Sequence, residues 1–343
     1  MIDGHGDDIY QYGELVKMNF SSTNFMHADH TALKEHLMES FDLINNYPEP
    51  QPLSLERMIA EQLGISPACV MATNGSTESI YLIANLFQGS VSIIPQPTST
   101  EYTDACRIYK HIITFEQNGD LAKLPKDRVY WICNPNNPSG NVLMKGFMDY
   151  VVRRSPRYVF VVDQSFEAFT REQLLVPSET CMQSNLLILH SMSKTYGIPG
   201  IRLGYITGHP STIQQLRNLR QPWSMSSLTI EAGKFLLSQG QSVVSDINAY
   251  LDETERLRKA LRQIDGIRVY ETKTNFMLCE IEHYTAAELK KYLVQEHGIL
   301  IRDCHNFFGL SSHFFRITTQ LPEENDMLVD AIRQFLSTKD NKD

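Results

Sequence analysis

The segment from Ser191 to Tyr205 carries the residue types best suited to chemistry. It reads Ser-Met-Ser-Lys-Thr-Tyr-Gly-Ile-Pro-Gly-Ile-Arg-Leu-Gly-Tyr and follows an apolar run typical of a buried strand. Two hydroxyls, the amine of Lys194 and the guanidinium of Arg202 could grip a phosphate while one amine points inward. For a lone lysine, a basic surface loop is the simpler interpretation, so the segment needs support from the rest of the chain.

A second segment, residues 73–78, reads Thr-Asn-Gly-Ser-Thr-Glu and joins a strand-like run to a helical one. The backbone N–H groups at a helix start lack intrahelical partners, and the helix dipole is positive there, so anions bind well. Such a turn by itself is more often a plain helix cap. The segment is therefore a candidate anion site that gains weight only together with residues 191–205.

The pattern S-x-S-K, followed eight residues later by arginine, resembles the cofactor-lysine motif of fold type I pyridoxal-phosphate enzymes, the class I and II aminotransferase family. The resemblance implies an α/β fold with a large, mostly parallel sheet between helices and a smaller α+β domain. It implies that Lys194 holds pyridoxal 5'-phosphate as a Schiff base and then moves protons as a catalytic base and acid. Lysine suits this task because its pKa falls on burial or near other cations.

The same resemblance assigns the other cofactor contacts. Asp163 would keep the pyridine nitrogen protonated and act with Lys194 in catalysis, and Asn137, in the segment Asn-Pro-Asn-Asn-Pro-Ser-Gly at 134–140, would donate to the phenolic oxygen. Asn and Pro also favour turns, which is the simpler reason for that segment. The residues that would bind the phosphate are Gly75, Ser76, Thr77, Ser191, Ser193 and Arg202.

Two further matches concern a partner subunit and the substrate. Tyr47-Pro48 resembles the family element in which a tyrosine reaches across a dimer interface to the cofactor phosphate, which implies a homodimer with shared active sites. Arg316 matches the arginine that binds the substrate α-carboxylate as a planar, two-pronged donor. A structural ion pair is the alternative role for Arg316.

Two positions depart from the family pattern. Ser99 stands where an aromatic residue usually stacks on the cofactor ring, which leaves Tyr102 as the candidate to cover the ring. Phe166 stands where many members have a tyrosine that donates to the phenolic oxygen. With one donor fewer, we expect the protonated lysine–cofactor linkage to persist to higher pH than in tyrosine-bearing relatives. An absorbance titration checks this, since Phe166→Tyr should lower the midpoint.

The resemblance is closest to two branches with phosphorylated substrates: histidinol-phosphate aminotransferase and the L-threonine-O-3-phosphate decarboxylase of cobalamin biosynthesis. Features that favour the decarboxylase are the opening Gly-His-Gly-Asp-Asp at 4–8, which resembles its H-G-G-[DN] start, the segment 19–24, Ile-Pro-Gly at 198–200, Phe166 and Ile-Arg-Asp-Cys at 301–304. If so, Arg302 and His5 would bind the substrate phosphate, and Asn24 would also contact the substrate. A surface role for His5 stays open.

The choice of reaction also stays open at this point. The cofactor weakens whichever bond to Cα lies perpendicular to its ring, and an arginine on the carboxylate favours the charged ground state over loss of carbon dioxide. A transcription regulator with an aminotransferase-like domain would carry a basic DNA-binding domain ahead of the motifs. A nucleotide-binding protein would carry a G-x-x-x-x-G-K-[ST] or G-x-G-x-x-G loop, and the chain has neither.

The elements that must position these residues alternate between apolar runs and helical stretches from about residue 68 to 207. Near-continuous apolar strands suit a sheet covered on both faces, so a doubly wound α/β layer is predicted. Helices are predicted at 30–40, 76–88, 101–110, 211–220, 227–237 and 242–263. The strand-like runs are 68–71, 91–95, 111–115, 129–133, 158–163, 186–190 and 203–207.

After Gly266 the order changes to strand, strand, helix, strand, strand, helix, at 268–271, 275–281, 285–295, 299–302, 315–318 and 323–336. This predicts a compact α+β unit with its own core. We expect residues 46–263 to form the large cofactor domain, and residues 1–45 to pack with 264–343 as the small domain.

Composition agrees with this interpretation and excludes other classes. The 343 residues are 42% hydrophobic and 21% charged, as in ordinary globular proteins, and the formal charge of −9 gives no cationic footprint for nucleic acid or an anionic membrane. Six scattered cysteines show neither C-x-x-C pairs nor metal-like spacing, so no metal is expected. Acidic residues near the start, where a signal peptide would be basic, make the cytoplasm the expected location.

Overall fold

In a computed structural model of the chain, the structure describes residues 7–116, 128–181, 183–240 and 246–340. Thirteen strands occur among these residues. They are β1 (Met18–Asn19), β2 (Val70–Thr73), β3 (Val91–Pro95), β4 (Ile112–Glu116), β5 (Arg128–Cys133), β6 (Tyr158–Asp163), β7 (Leu186–His190), β8 (Gly204–Gly208), β9 (Ile267–Val269), β10 (Phe276–Ile281), β11 (Ile299–Leu300), β12 (Arg302–Asp303) and β13 (Phe314–Thr318).

Twelve α-helices accompany the strands in the described part of the chain. They are α1 (Thr31–Glu39), α2 (Leu53–Leu63), α3 (Gly75–Leu86), α4 (Thr100–Ile108), α5 (Lys145–Arg154), α6 (Pro177–Thr180), α7 (Met192–Thr195), α8 (Pro210–Leu219), α9 (Ser227–Gln239), α10 (Ile247–Leu261), α11 (Ala286–Tyr292) and α12 (Pro322–Asp340). Helices α2 and α5 were not among those predicted from the sequence. None of the described helices is long and apolar enough to cross a bilayer.

The main sheet has seven strands in the order β2-β8-β7-β6-β5-β3-β4. Strands β4, β3, β5, β6 and β7 are parallel, whereas β8 runs antiparallel to both of its neighbours. Apolar side chains are buried on both faces, as the continuous apolar runs predicted. The α/β prediction is confirmed, and the carboxyl ends of β5, β6 and β7 meet at one edge.

The C-terminal unit has a four-stranded antiparallel sheet in the order β12-β13-β10-β9, covered by α10, α11 and α12. The prediction of a single strand at 299–302 is wrong, because two short strands occur there. The strand is interrupted at Ile301, so that β11 pairs in parallel with β1 while β12 joins the four-stranded sheet. The backbone break lets Arg302 stand directly opposite Arg316 across β12 and β13.

The first 45 residues divide between the two units. Phe20 donates to Leu300 and accepts from Thr318, so this stretch lies on the C-terminal unit. Helix α1 instead packs through Leu33 against Ala232 of α9, which corrects the expectation that the whole segment lies on the C-terminal unit. The physical reason is that α1 buries only one residue, and the apolar surface that accepts it belongs to α9. The boundaries at 46 and 263 stay a prediction.

Helix α10 is shorter than the predicted 242–263. It begins at Ile247, where the Asp246 carboxylate accepts from the N–H groups of Asn248 and Ala249 at 2.9 and 3.0 Å. This is a regular N-terminal cap, which ends the helix on that side. Residues 242–245 of the prediction lie outside the described residues.

Candidate active site

A cavity of about 290 Å³ opens at the carboxyl ends of β5 and β6, between the main sheet and the C-terminal unit. It gathers residues from the whole length of the chain. Nine of the predicted site residues line it, together with Ser99 and Phe166, the two departures from the family pattern. The nine are Asn24, Ser76, Thr77, Tyr102, Asn137, Asp163, Lys194, Arg302 and Arg316.

Lys194 reaches this cavity from α7, a single turn that follows β7. The turn is fixed by hydrogen bonds from the N–H groups of Lys194 and Thr195 to the carbonyl of Ser191, at 3.1 and 3.2 Å. Burial, then the positive charge of Arg316, lowers the pKa of Lys194 to about 8 from an ordinary value of 10.5. A substantial fraction of this amine is therefore neutral, and nucleophilic, near pH 8.

Asp163 ends β6, and its two carboxylate oxygens are held in fixed positions. Oδ1 accepts from the N–H of Ser165 at 2.9 Å, and Oδ2 accepts from the hydroxyl of Tyr102 at 2.6 Å. The Tyr102 ring is almost fully buried and lies nearly parallel to Trp131. Burial, with the neighbouring Asp163 charge, raises the pKa of Tyr102 well above 10, so its hydroxyl is a donor. A carboxylate has about four acceptor sites, so Asp163 can accept another donor from the cavity.

Phe166 covers one side of the lysine. Its ring is buried and packs edge-on against Phe276, and the Lys194 amine lies 5.9 Å from the ring centroid. The position that carries a tyrosine in many relatives thus faces the amine with an apolar ring. No hydroxyl is available at Phe166 to bond a cofactor oxygen.

The turn at Gly75 and the guanidinium of Arg202 form a tight cradle at the start of α3. Gly75 has a φ of +79°, and a Cβ there would lie 2.3 Å from Nη2 of Arg202. A Cβ on Gly204 would lie 2.8 Å from the amide nitrogen of Ser76. Ser76 and Thr77 occupy the first turn of α3, where N–H groups face outward without helical partners. Because Gly75 and Gly204 have no side chains, the guanidinium of Arg202 and the N–H groups at the start of α3 can lie close together.

The remaining cofactor candidates do not line the cavity. The Ser193 hydroxyl donates to the carbonyl of Leu203 and accepts from its N–H, both at 3.2 Å, so it holds the lysine turn against the strand that follows. Ser191 is buried beside it. Tyr47 is 86% exposed and packs on Trp223, away from the cavity. His5 lies outside the described residues.

Two buried arginines form the other end of the cavity. Arg316, on β13, donates through Nη1 to the side-chain oxygen of Asn137 and through Nη2 to the carbonyl of Ser21 at 2.6 Å. Its Nε, among the described residues, has no hydrogen-bond partner. Burial lowers the pKa of Arg316 to about 10, and burial also lowers that of Arg302. Two desolvated cations here favour anionic ligands.

Arg302 is oriented by its own loop. Its Nη2 donates to Asn306 at 2.9 Å, and the guanidinium lies 5.3 Å from the ring centroid of Phe307, a cation–π distance. Asn24, which completes this end, is buried, and its Oδ1 lacks a partner within the described part of the chain. Arg302 and Arg316 thus point into one space together with an unused acceptor.

The structure adds residues that sequence reasoning missed. Asp7, Ser21, Ser22, Thr23, Ser165 and Phe307 also line the cavity. The run of small polar residues at 21–24 is a weak signal, because such runs are usually exposed turns, whereas here all four are buried. Burial of so many polar side chains in a row marks a binding surface, but only the structure reveals that burial.

Comparisons with known proteins give concordant matches over most of the chain. The family model described as aminotransferase class I and II matches residues 16–332. Among curated relatives, the threonine-phosphate decarboxylase of Salmonella typhimurium is 27% identical over 89% of this chain and 87% of its own length. The histidinol-phosphate aminotransferase of Caldanaerobacter subterraneus is 30% identical over 86% of this chain and 85% of its own.

Solved structures give the same result. The L-threonine-O-3-phosphate decarboxylase of Porphyromonas gingivalis superimposes with a TM-score of 0.90 at 37% identity, covering 93% of this chain and 99% of that one. The histidinol-phosphate aminotransferase of Sinorhizobium meliloti, solved with pyridoxal-5'-phosphate, gives 0.84 at 18% identity, covering 98% and 96%. The second likeness concerns the fold alone.

Proposed function

Because the chain belongs to the class I and II aminotransferase family, whose members depend on pyridoxal phosphate, we propose that this enzyme is an L-threonine-O-3-phosphate decarboxylase. Its substrate would be an amino acid that also carries a phosphate. Its products would be carbon dioxide and aminopropanol phosphate, the amine from which cobalamin biosynthesis draws. Both ends of the cavity support this assignment.

The residues at one end fit the cofactor. A phosphate suits the cradle of Arg202, the first turn of α3 and Ser191, because the donors converge where a Cβ at Gly75 would not fit. Asp163 can pair with a protonated ring nitrogen, and Ser165 has a buried hydroxyl without a partner among the described residues. We assign Lys194 to the cofactor aldehyde and Asn137 to the phenolic oxygen. When bound, pyridoxal phosphate withdraws electrons from Cα of an amino substrate.

Lys194 has the properties required of the proton carrier. Burial and Arg316 hold its pKa near 8, so it can release and regain a proton close to neutral pH. Asp163 stays fixed by Tyr102 and Ser165, which keeps its charge in place without reorganisation. The apolar ring of Phe166 limits the access of water to the amine. In this proposal Lys194 delivers the proton that replaces the lost carboxylate at Cα.

The observation that carries the choice of substrate is the pair of buried arginines, Arg302 and Arg316, in the same cavity as Lys194. Two separate cations suit a molecule with two anionic groups, and O-phospho-L-threonine has a carboxylate and a phosphate. We assign the carboxylate to Arg316 and the phosphate to Arg302, with Asn24 as a further contact; His5 would add to the phosphate site. Histidinol phosphate has only one anionic group, so an aminotransferase would use both arginines only for its second substrate, the dicarboxylate 2-oxoglutarate.

We further propose a homodimer in which Tyr47 of each subunit completes the other's active site. The side chain is 86% exposed, although an aromatic ring usually buries most of its surface. Trp223, which packs on Tyr47, is 50% exposed, and Phe41 and Ile44, nearby in sequence, are each 55% exposed. Exposed apolar side chains of this size favour an interaction surface, and a second copy would bring the Tyr47 hydroxyl to a cradle.

A substrate assay tests the proposal against its main alternative, histidinol-phosphate aminotransferase, a name carried by a relative that is 30% identical. The purified holoenzyme is incubated with O-phospho-L-threonine alone, and with histidinol phosphate plus 2-oxoglutarate. We expect carbon dioxide and aminopropanol phosphate from the first mixture without any oxo acid. Turnover that requires 2-oxoglutarate would refute the decarboxylase proposal and support the aminotransferase.

A further inference from the structure

Asp7 lines the same cavity as Lys194 and both arginines, yet it carries the opposite charge to all three. Its side chain is half-buried, and it comes from the N-terminal segment rather than from either sheet. A carboxylate in a cavity built to hold two anionic groups opposes the binding of those groups. The position of Asp7 therefore calls for a physical reason.

Specific hydrogen bonds hold this carboxylate in place. The amide of Asn19 donates to Oδ1 of Asp7 at 2.6 Å, and the backbone N–H of Asp7 donates to the Ser21 hydroxyl at 3.2 Å. Ser21 is the residue whose carbonyl accepts from Arg316 at 2.6 Å. Asn19 and Ser21 are buried, so one short turn positions Asp7 and Arg316 together.

The backbone of Asp7 is left-handed, with a φ of +63°. Glycine adopts this conformation most readily, and aspartate tolerates it better than most residues. In the opening motif H-G-G-[DN], residue 7 stands at the second glycine. The backbone conformation therefore does not require a carboxylate, and the charge at this cavity wall needs a separate explanation.

The charge of Asp7 acts on Lys194 and Arg316. Burial is the main cause that lowers the pKa of Lys194 to about 8 and that of Arg316 to about 10, and Asp7 counteracts the fall in both. Its effect on Lys194 ranks ahead of that of Asp163. Asp7 lines the cavity with Arg316 and is linked to it through Ser21, so its charge opposes a carboxylate bound at Arg316.

We propose that Asp7 is a specificity-determining residue that destabilises the substrate carboxylate at Arg316 and so favours its departure as carbon dioxide. This inference rests on the proposed function. The bond between Cα and the carboxylate carbon breaks, its electron pair stays at Cα, and a proton from Lys194 takes the place of the carboxylate. The repulsion exists before the bond breaks and disappears with the carbon dioxide, so it lowers the barrier. It also offsets the arginine clamp, which alone would favour the ground state.

The test compares two ligands that differ only in the carboxylate. Equilibrium binding of O-phospho-L-threonine and of aminopropanol phosphate is measured on borohydride-reduced holoenzyme, which cannot turn over. Asp7→Asn removes the charge and keeps an acceptor for Asn19. We expect it to tighten the amino acid relative to the amine by about tenfold, the size of one like-charge repulsion in a partly buried site. In unreduced enzyme, both KM and kcat for carbon dioxide release should fall.

Two further variants keep the test decisive. Asp7→Gly also removes the charge and relieves the backbone, so it should fold and shift the binding ratio in the same direction. Glu101→Gln removes a carboxylate from another wall of the same cavity and should leave the ratio unchanged. An unchanged ratio in both Asp7 variants, or an equal shift in Glu101→Gln, would overturn the proposal. Absence of carbon dioxide release by the wild type would instead refute the proposed function, while the binding ratio would still report on Asp7.

Discussion

The two ends of the cavity are built in different ways. The proposed cofactor end comprises the turn at 73–77, Asp163 and the segment 191–204, and it depends on backbone turns, glycines and one helix start. The proposed substrate end comprises Asp7, the segment 19–24, Arg302 and Arg316, and it consists mainly of side chains brought together over long distances in sequence. The contact between Arg316 and Ser21, for example, joins residues 295 positions apart.

This difference has a consequence for how such enzymes diversify. A backbone turn at a strand end changes only if the sheet changes, so the cofactor end is tied to the fold. Side chains on the walls of the substrate end can be exchanged one at a time without moving the sheet. The same fold can therefore keep one cofactor while it handles different phosphorylated substrates.

The largest expected effect is at the cofactor end. Lys194→Ala should lower turnover by about 10⁴-fold or more, because it removes the proton carrier and the covalent attachment point together. It should also abolish the visible absorbance shift on adding pyridoxal phosphate. Lys145→Ala is a matched control, since that amine pairs with Glu179 at 2.7 Å away from the cavity. Residual turnover within tenfold of the wild type would contradict the assignment.

At the substrate end, Arg316→Gln should reduce kcat/KM by about 10² to 10³-fold, as expected when one partner of a buried, charge-assisted contact is lost. Cofactor binding should fall much less, because Arg316 touches the proposed cofactor contacts only through Asn137 and does not contact the cradle. Arg268→Gln, on β9 of the same sheet but with a 70% exposed side chain, serves as the control. If Arg316→Gln weakened the cofactor as much as the substrate, the division into two ends would fail.

The cradle can be tested with two glycines of similar backbone conformation. Gly75→Ala and Gly64→Ala both place a side chain at positive φ, +79° and +63°, and should each cost about 1 kcal/mol of folding stability. Only at Gly75 does the new Cβ meet Arg202. We expect about tenfold weaker pyridoxal phosphate binding in Gly75→Ala alone, the cost of displacing one charged contact. Equal affinities for pyridoxal phosphate in the two variants would show that Arg202 does not bind the cofactor phosphate.

The smallest effect links the two ends. With the Lys194 pKa lowered to about 8, the neutral amine increases as pH rises, so the rate of cofactor capture by apoenzyme should rise and level off above about pH 8. In Arg316→Gln a neighbouring positive charge is lost, so the pKa of Lys194, and with it the midpoint of the pH dependence of capture, should rise. The folded state binds this proton less readily than the unfolded chain. The burial of charged Lys194 therefore lowers the free energy of unfolding, and this cost is relieved as pH rises from about 8 toward 10.5. A pH-independent capture rate would contradict a titrating lysine.

The sequence predicted these two ends unequally. Residues such as Gly75 and Lys194 sit in short turns whose chemistry is local, so their types and spacing are informative in the sequence alone. Asp7 and Ser21 lie in segments whose resemblance to a family pattern is visible in the sequence, but their types and spacing assign them no chemistry. Their role depends on pairing between β1 and β11 and on the turn after Asn19, and such contacts depend on the whole chain. The surface on which α1 packs was also unpredictable, because one buried leucine gives no preference between two apolar surfaces.

The direct opposition of Arg302 and Arg316 on adjacent strands has a further consequence. Side chains that face each other across an antiparallel ladder start about 5 Å apart at Cβ, and the ladder keeps that spacing constant. In the proposed site, the two guanidinium groups therefore extend from fixed neighbouring points, and the separation of a ligand's two anionic groups should affect its affinity. Homologues of the proposed substrate with one or two added methylene groups between carboxylate and phosphate are expected to bind less tightly.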